Sequence, residues 1–360
     1  MGEEINSINT LDKFYKGKKV IVTGHTGFKG SWLAEILSLW GADVVGVALD
    51  PHTEPNLYDV LSLGKKTKNY ILDIRNQTKL EDIFAKEKPD MVFHLAAQAI
   101  VKTSYDDPLR TYETNVIGTA NVLQSIRHTN SVKAAVIITS DKVYENVEWV
   151  HPYREIDRLG GHDPYSASKA AADIIAQSFI RSFFKDETSP LVGITRAGNV
   201  IGGGDWSANR IVPDVVRAIY EKQESVLIRS PKSIRPWQYV LEPLSGYLLL
   251  GKLLYEGDRT KVSTWNFGPN EGNFVTVLDI VKYGTDIMAK GDYKIIPNPD
   301  FHEAGLLKLD ISKARSYLHW HPKFDLKQTM EYTFGWYKKY YEEPEKIVAY
   351  SEKQIKDFFK

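Results

Sequence analysis

Three glycines at three-residue spacing constrain this chain more than any other feature. Gly24-His-Thr-Gly27-Phe-Lys-Gly30 follows directly on a short apolar run, Lys19–Thr23. Ser31 to Leu39 then has helical spacing, with Leu33, Ile36, Leu37 and Leu39 apolar. A buried strand, a glycine turn and a helix in that order make an anion site. The first helical turn offers unpaired N–H groups and the positive end of the dipole, and glycine lets backbone come close to a pyrophosphate. The spacing is G-x-x-G-x-x-G, not the commoner G-x-G-x-x-G fingerprint. Dinucleotide binding is expected in this setting, with Gly24, Thr26, Gly27, Phe28, Lys29 and Gly30 as the loop; a tight turn without a ligand is the alternative. A second strand, Asp43–Ala48, is followed by Asp50, twenty residues after Gly30. A carboxylate there bonds ribose hydroxyls and repels a 2′-phosphate, which favours NAD over NADP; a surface turn before Pro51 is the plain alternative. A third strand is expected at Ile71–Asp73, placing Asp73 and Ile74 within reach of the adenine.

Strands and helices keep alternating beyond this point. Helices are expected over Thr78–Lys88 and Pro108–Thr129, strands over Asp90–Leu95 and Ala134–Thr139. The strands are too continuously apolar to be half-exposed, so the expected fold is α/β: a Rossmann-type, doubly wound parallel sheet covered on both faces. After about residue 195 the pattern loosens around Gly202-Gly-Gly204, Pro213, Pro231, Pro236 and Pro243. A smaller mixed α/β lobe is expected there. The division reads as residues 1–195 with 237–262 for the dinucleotide domain, and 196–236 with 263–360 for the substrate domain. The aromatics of Leu326–Tyr341 fall on a helical period and read as core packing.

Composition narrows the function classes. Lys+Arg and Asp+Glu both count 46, so no general polyanion surface is indicated and nucleic acid is not an expected partner. There is no cysteine, which removes thiolate nucleophiles, disulfides and Cys-ligated metals. The first residues carry two acids and no apolar segment typical of a secretory signal, and no apolar run approaches the ~20 residues of a membrane span. A cytoplasmic protein without a membrane partner or bound metal is the expectation.

Tyr165 and Lys169 stand four residues apart, on one face of a helix expected at Tyr165–Phe184. An ammonium beside a phenol favours the phenolate, a usable base near neutral pH. With the glycine loop upstream, this Y-x-x-x-K resembles the extended short-chain dehydrogenase/reductase superfamily. Further strings are similar to the CDP-glucose 4,6-dehydratase branch: HLAAQ at His94–Gln98, TSDKVYEN at Thr139–Asn146, DPYSASK at Asp163–Lys169 and RAGNVIGGGDW at Arg196–Trp206. SIRPWQYVLEP at Ser233–Pro243, WNFGP at Trp265–Pro269 and HEAGLLKLD at His302–Asp310 fit as well. The resemblance runs from about Lys18 to at least Trp336.

That resemblance implies NAD-dependent, redox-neutral dehydration of a CDP-sugar: oxidation at C4, loss of water across C5 and C6, and return of the hydride to C6. It implies Tyr165 as base for the 4-hydroxyl, Lys169 as its partner on the nicotinamide ribose, Ser140 on the 4-oxygen and Asp141 as acid for the departing 6-hydroxyl. It places Leu95, Ala96, Ala97 and Gln98 at the cofactor. Most relatives carry Asp-Glu where this chain has Asp141-Lys142, so Lys142 is either the C5 base, with a lowered pKa, or an enolate stabiliser with Glu145 as base. On the substrate side it implies Asn199, Arg210, Arg235, Trp237, Gln238 and His302, with Glu303 beside it. Guanidinium forks suit the diphosphate. A 4-epimerase, or a different nucleotide sugar, is the alternative. A homodimer, or a tetramer, is expected through the helices at Pro108–Thr129 and Tyr165–Phe184, and deoxysugar supply to surface polysaccharide such as O-antigen is the implied destination.

Overall fold

The computed structural model describes residues 10–296 and 307–360. Its strands are β1 (Lys19–Thr23), β2 (Asp43–Ala48), β3 (Lys68–Ile71), β4 (Met91–His94), β5 (Ala134–Ile138), β6 (Leu191–Arg196) and β7 (Val200–Ile201). They continue with β8 (Val226–Ile228), β9 (Ile234–Pro236), β10 (Gln238–Tyr239), β11 (Thr264–Asn266), β12 (Phe274–Thr276) and β13 (Tyr293–Ile295). Seven of them form one sheet in the order β11-β6-β5-β4-β1-β2-β3, all parallel. Alternate residues of β1 serve opposite faces. Val20 and Val22 join one core with Trp32 and Leu37, while Ile21 joins the other with Val45 and Leu80. Burial on both sides explains why these strands are uniformly apolar. The chain reverses its winding between β1 and β4, and the crevice at their carboxyl ends is where such sheets bind ligands.

Several elements fall differently from the sequence expectation. The third strand ends at Ile71 instead of running to Asp73. Asp73 leaves the ladder because its carboxylate accepts the Arg75 backbone N–H at 2.9 Å and the Arg75 guanidinium at 2.8 Å. The helix expected at Pro108–Thr129 is interrupted by a π-turn, Glu113–Ile117. That turn carries Asn115, which donates to the Gln98 carbonyl at 3.0 Å and the Ser168 hydroxyl at 2.8 Å. It thereby ties the loop after β4 to the helix Pro164–Phe183. β11 hydrogen-bonds to β6, so the sheet takes in residues that the division after 262 assigned to the other lobe. The helix Ile347–Phe358 closes over the core: Gln354 accepts from Tyr239 at 2.9 Å and Ser351 from Trp336 at 2.8 Å. Leu326–Glu342 is a helix whose aromatics pack inward, with Trp336 and Tyr337 fully buried. Among the described residues no helix is long and apolar enough to cross a membrane.

Candidate active site

The glycine loop is built by close approach. Gly24 has φ +78°, and a Cβ there would stand 2.7 Å from the Ala96 nitrogen. A Cβ on Gly30 would stand 2.0 Å from the Gly24 carbonyl oxygen. Gly27 differs: its nearest neighbour would be the Gly24 oxygen at 3.5 Å, an ordinary contact. Nothing in the protein requires glycine at 27. Its missing side chain opens the N-terminus of the helix Phe28–Leu39, where Gly27 is the cap residue and no side chain caps. First-turn N–H groups have no intrahelical partner, so this is a bare, positively polarised cradle that fits a pyrophosphate. Thr26 fastens the loop by donating to the Leu49 carbonyl at 2.9 Å, and Asp50 stands exposed just beyond. These residues line one cleft of about 2070 Å³ together with Asp73, Ile74 and Leu95 to Gln98. Single-ligand pockets run to about 1,000 Å³. The volume suits two large ligands side by side.

Ser140, Asp141, Lys142, Tyr165 and Lys169 line the same cleft. Asp163 caps the helix Pro164–Phe183, accepting the Ser166 N–H at 2.9 Å with Pro164 in the first turn. This start places Tyr165 in the first turn and Lys169 one turn on. Ser140 Oγ donates to Asp141 Oδ1 at 2.9 Å and accepts the Lys142 N–H at 3.2 Å. Asn199 Nδ2 donates to Asp141 Oδ2 at 3.3 Å. The carboxyl group lies directly against Gly198, where a Cβ would stand 1.9 Å from Asp141 Cγ.

The electrostatics correct one expectation. Burial raises the Tyr165 phenol above its ordinary value, and hydrogen bonding with Ser140 pulls it partly back. Lys169 is itself held down to about 7, first by burial and then by the charge of Lys29. A half-neutral lysine is a weaker partner for a phenolate than a fixed cation. Lys29 sits at about 8, lowered by burial and by Arg210 and pulled back by Asp141. Lys142 lines the cleft with no carboxylate within ion-pair distance among the described residues.

Two predicted site residues are elsewhere. Glu145 faces away from the cleft, in an ion pair with Arg158 at 2.7 Å, so it is no alternative C5 base. Gln238 is buried behind the cleft, donating to the Gly198 and Phe267 carbonyls at 2.8 and 3.2 Å; it props the loop that carries Asn199. Asn199, Arg210, Arg235 and Trp237 do line the cleft. Arg210 is held by Asp205 at 2.9 Å, and Trp237 donates to the Val275 carbonyl at 3.2 Å. Gln98 lines it too, although its side chain is spent on Ile100 and Thr111. His302 and Glu303 lie outside the described residues. Sequence reasoning missed Arg217, Lys222 and Arg229, which line the same cleft, because isolated basic residues in an irregular segment carry no periodic signal.

A family model described as GDP-mannose 4,6 dehydratase matches residues 21–333. A CDP-glucose 4,6-dehydratase of Salmonella typhimurium is 44% identical over 358 residues, covering 97% of this chain and 98% of its own. A CDP-paratose 2-epimerase of Salmonella typhi is 25% identical, covering 88% and 98%. Among solved structures, a UDP-glucose 4-epimerase of Thermotoga maritima with UDP-glucose is 26% identical with a TM-score of 0.74, covering 89% of this chain and 99% of its own. A dTDP-glucose 4,6-dehydratase of Bacillus anthracis in complex with NAD shares the fold at 22% identity and a TM-score of 0.74, covering 90% and 97%.

Proposed function

Since the chain belongs to the GDP-mannose 4,6 dehydratase family within the extended short-chain dehydrogenases/reductases, we propose that it is the CDP-glucose 4,6-dehydratase its resemblance implies, forming CDP-4-keto-6-deoxy-glucose. The observation that carries this is the adjacent Asp141 and Lys142 in one cleft with Tyr165 and Lys169. A 4-epimerase needs the tyrosine and lysine, but has no use for an acid and a base aimed at C5 and C6.

NAD is the cofactor; when bound it supplies the hydride acceptor for C4 and the donor for C6. Gly27 and the first turn of the following helix hold its pyrophosphate, and Asp50 meets the ribose hydroxyls. Tyr165 takes the proton of the 4-hydroxyl, with Ser140 on the same oxygen. The 4-ketone acidifies C5. Lys142, which lines the cleft beside Asp141, removes that proton. Asp141 gives its proton to the departing 6-hydroxyl. Arg210 and Arg235 meet the substrate diphosphate, and Trp237 borders the nucleoside.

The assembly is proposed to be a homodimer. Leu109, Ile117 and Ile174 are 74%, 52% and 53% exposed, and all lie on the two helix segments expected to pair. Analytical ultracentrifugation of Ile174→Arg tests this: dissociation supports it, and an unchanged dimer points to another face.

Mass spectrometry of CDP-glucose incubated with the protein and NAD in deuterated water tests the activity. A product lighter by one water and carrying one solvent deuterium is expected. An isomer without water loss would transfer the site to epimerisation.

A further inference from the structure

Between oxidation at C4 and reduction at C6 the hydride of the sugar is stored on the cofactor. A cofactor lost in that interval strands a sugar that nothing else can reduce. Holding the cofactor harder while a nucleotide sugar is bound guards against that loss, and the loops that serve the two ligands do touch. The loop after β2 carries Asp50, set for the cofactor ribose, and is tied to the glycine loop by Thr26 on the Leu49 carbonyl at 2.9 Å. Two residues past Asp50, His52 Nε2 lies 3.2 Å from Ser207 Oγ, 155 residues on in the sequence. That hydroxyl makes no other hydrogen bond among the described residues, and both side chains line the cleft.

On the substrate side the contact runs on without a gap. The Ser207 N–H donates to Asp205 Oδ1 at 2.9 Å, and Asp205 Oδ2 accepts at 2.9 Å from Arg210, the guanidinium set for the substrate diphosphate. A second contact joins the same two loops. Gly204 has φ +86°, and a Cβ there would stand 2.5 Å from Leu57 Cδ1, so the bare glycine admits the leucine. The two sides are not held equally. Asp205, Trp206 and Ser207 are buried and pinned from behind: Tyr337 donates to the Asp205 carbonyl at 2.6 Å and Arg217 to the Trp206 carbonyl at 2.8 Å. Asp50, His52 and Glu54 are exposed. The substrate loop is the post, and the cofactor loop closes on it. Fixing an exposed loop costs entropy, and whichever ligand fixes the bridge first relieves the other of part of that cost.

We propose that His52 and Ser207 form a latch that couples the two ligands: a nucleoside diphosphate on Arg210 tightens NAD, and NAD tightens the nucleotide by the same factor. His52 acts through Asp50 and Arg210, as a positioning residue. The role rests on the function proposed above, which supplies both ligands.

Calorimetric titration reads the coupling without turnover, with CDP as the probe for the substrate. NAD is titrated into the full-length, cofactor-free protein, alone and with saturating CDP. One neutral hydrogen bond, at its usual net worth, is about fivefold in affinity. CDP is therefore expected to tighten NAD about fivefold in the wild type, and not at all in His52→Ala or Ser207→Ala. The double variant is expected to match the single ones, because all three break one contact. His52→Gln, which keeps a hydrogen-bonding nitrogen on the side chain, is expected to retain the coupling. A merely structural histidine would weaken NAD by the same factor with and without CDP, leaving the ratio intact in His52→Ala. That result overturns the latch, as does a wild type whose NAD affinity CDP leaves unchanged. A wild type that binds NAD but no CDP overturns the proposed substrate, and the latch with it. Unchanged melting temperatures check that the variants fold.

Discussion

Gly27→Ala separates a glycine kept for the ligand from one kept for the protein. The backbone at 27 has φ −83° and ψ 167°, open to alanine, and the added methyl meets nothing closer than 3.5 Å. The fold is therefore expected to lose no more than about 0.5 kcal/mol, as at an unstrained surface site. The methyl instead enters the space in front of the first-turn N–H groups, where a phosphate must come within hydrogen-bond distance. A hydrogen bond to a charged group is worth roughly 1.5–3 kcal/mol. Losing one weakens cofactor binding by roughly ten- to a hundredfold. Gly30→Ala is the contrast, since its methyl would stand 2.0 Å from the Gly24 carbonyl oxygen, a backbone atom that cannot swing aside. It is expected to lose roughly 1–3 kcal/mol of stability, as an overpacked site does. Calorimetric titration of the cofactor-free protein with NAD, paired with urea unfolding, reads both quantities. Gly27→Ala binding NAD within twofold of the parent would refute the placement of the pyrophosphate; Gly27→Ala unfolding as early as Gly30→Ala would refute the steric reasoning.

Lys142→Met is expected to abolish exchange of the C5 proton with deuterated water while C4 oxidation persists; normal exchange would remove the lysine as base. Gly198→Ala forces the Asp141 carboxyl off its seat, because the new Cβ would stand 1.9 Å from Asp141 Cγ. Oxidation at C4 should continue and dehydration stall, so reduced nicotinamide should accumulate by absorbance on adding CDP-glucose. Lys169 gives a pH signature in the cofactor-free protein: folded it titrates at about 7, unfolded near 10.4, so between those values the unfolded chain holds the extra proton and stability rises with pH. The rise is at most about 1.4 kcal/mol per pH unit, and thermal melts of Lys169→Met should lose it from pH 7 upward.

What was legible in the sequence shares one property: the signal is local. β1 and β2 fall where their apolar runs end, because burial on both faces leaves no polar alternation to blur the limits. The glycine loop and the Tyr165–Lys169 pair are short patterns inside one turn of structure. The failures depend on partners distant in sequence. Asp73 is the exception, a local one: it looked like a strand end, and Arg75, two residues on, claims its carboxylate. Glu145 stood as the alternative base beside Lys142, yet it pairs with Arg158 and does not line the cleft. Gln238 sits beside Arg235 in sequence, but it serves carbonyls forty and twenty-nine residues away. The π-turn is invisible in a helical period, since its purpose is the bond from Asn115 to Ser168, fifty-three residues on.

The string Arg196 to Asn199 shows how one segment builds a site without supplying its chemistry. Arg196 and Asp173 are wholly buried and paired through two bonds of 2.8 Å, a geometry that leaves neither charge stranded. Breaking such a pair from one side leaves a buried charge uncompensated, so the strand end is held in one position. Thr139 also donates to Asp173, at 3.2 Å, which brings the end of β5 to the same anchor. Ser140 and Asp141 follow directly, and Gly198 and Asn199 extend from the anchored strand to receive the carboxylate. The acid of the proposed reaction is therefore placed by the end of β5 and oriented by the end of β6, from a single ion pair behind both. Substitution at Arg196 or Asp173 reaches catalysis by moving Asp141 relative to Tyr165, with no contact to substrate or cofactor needed.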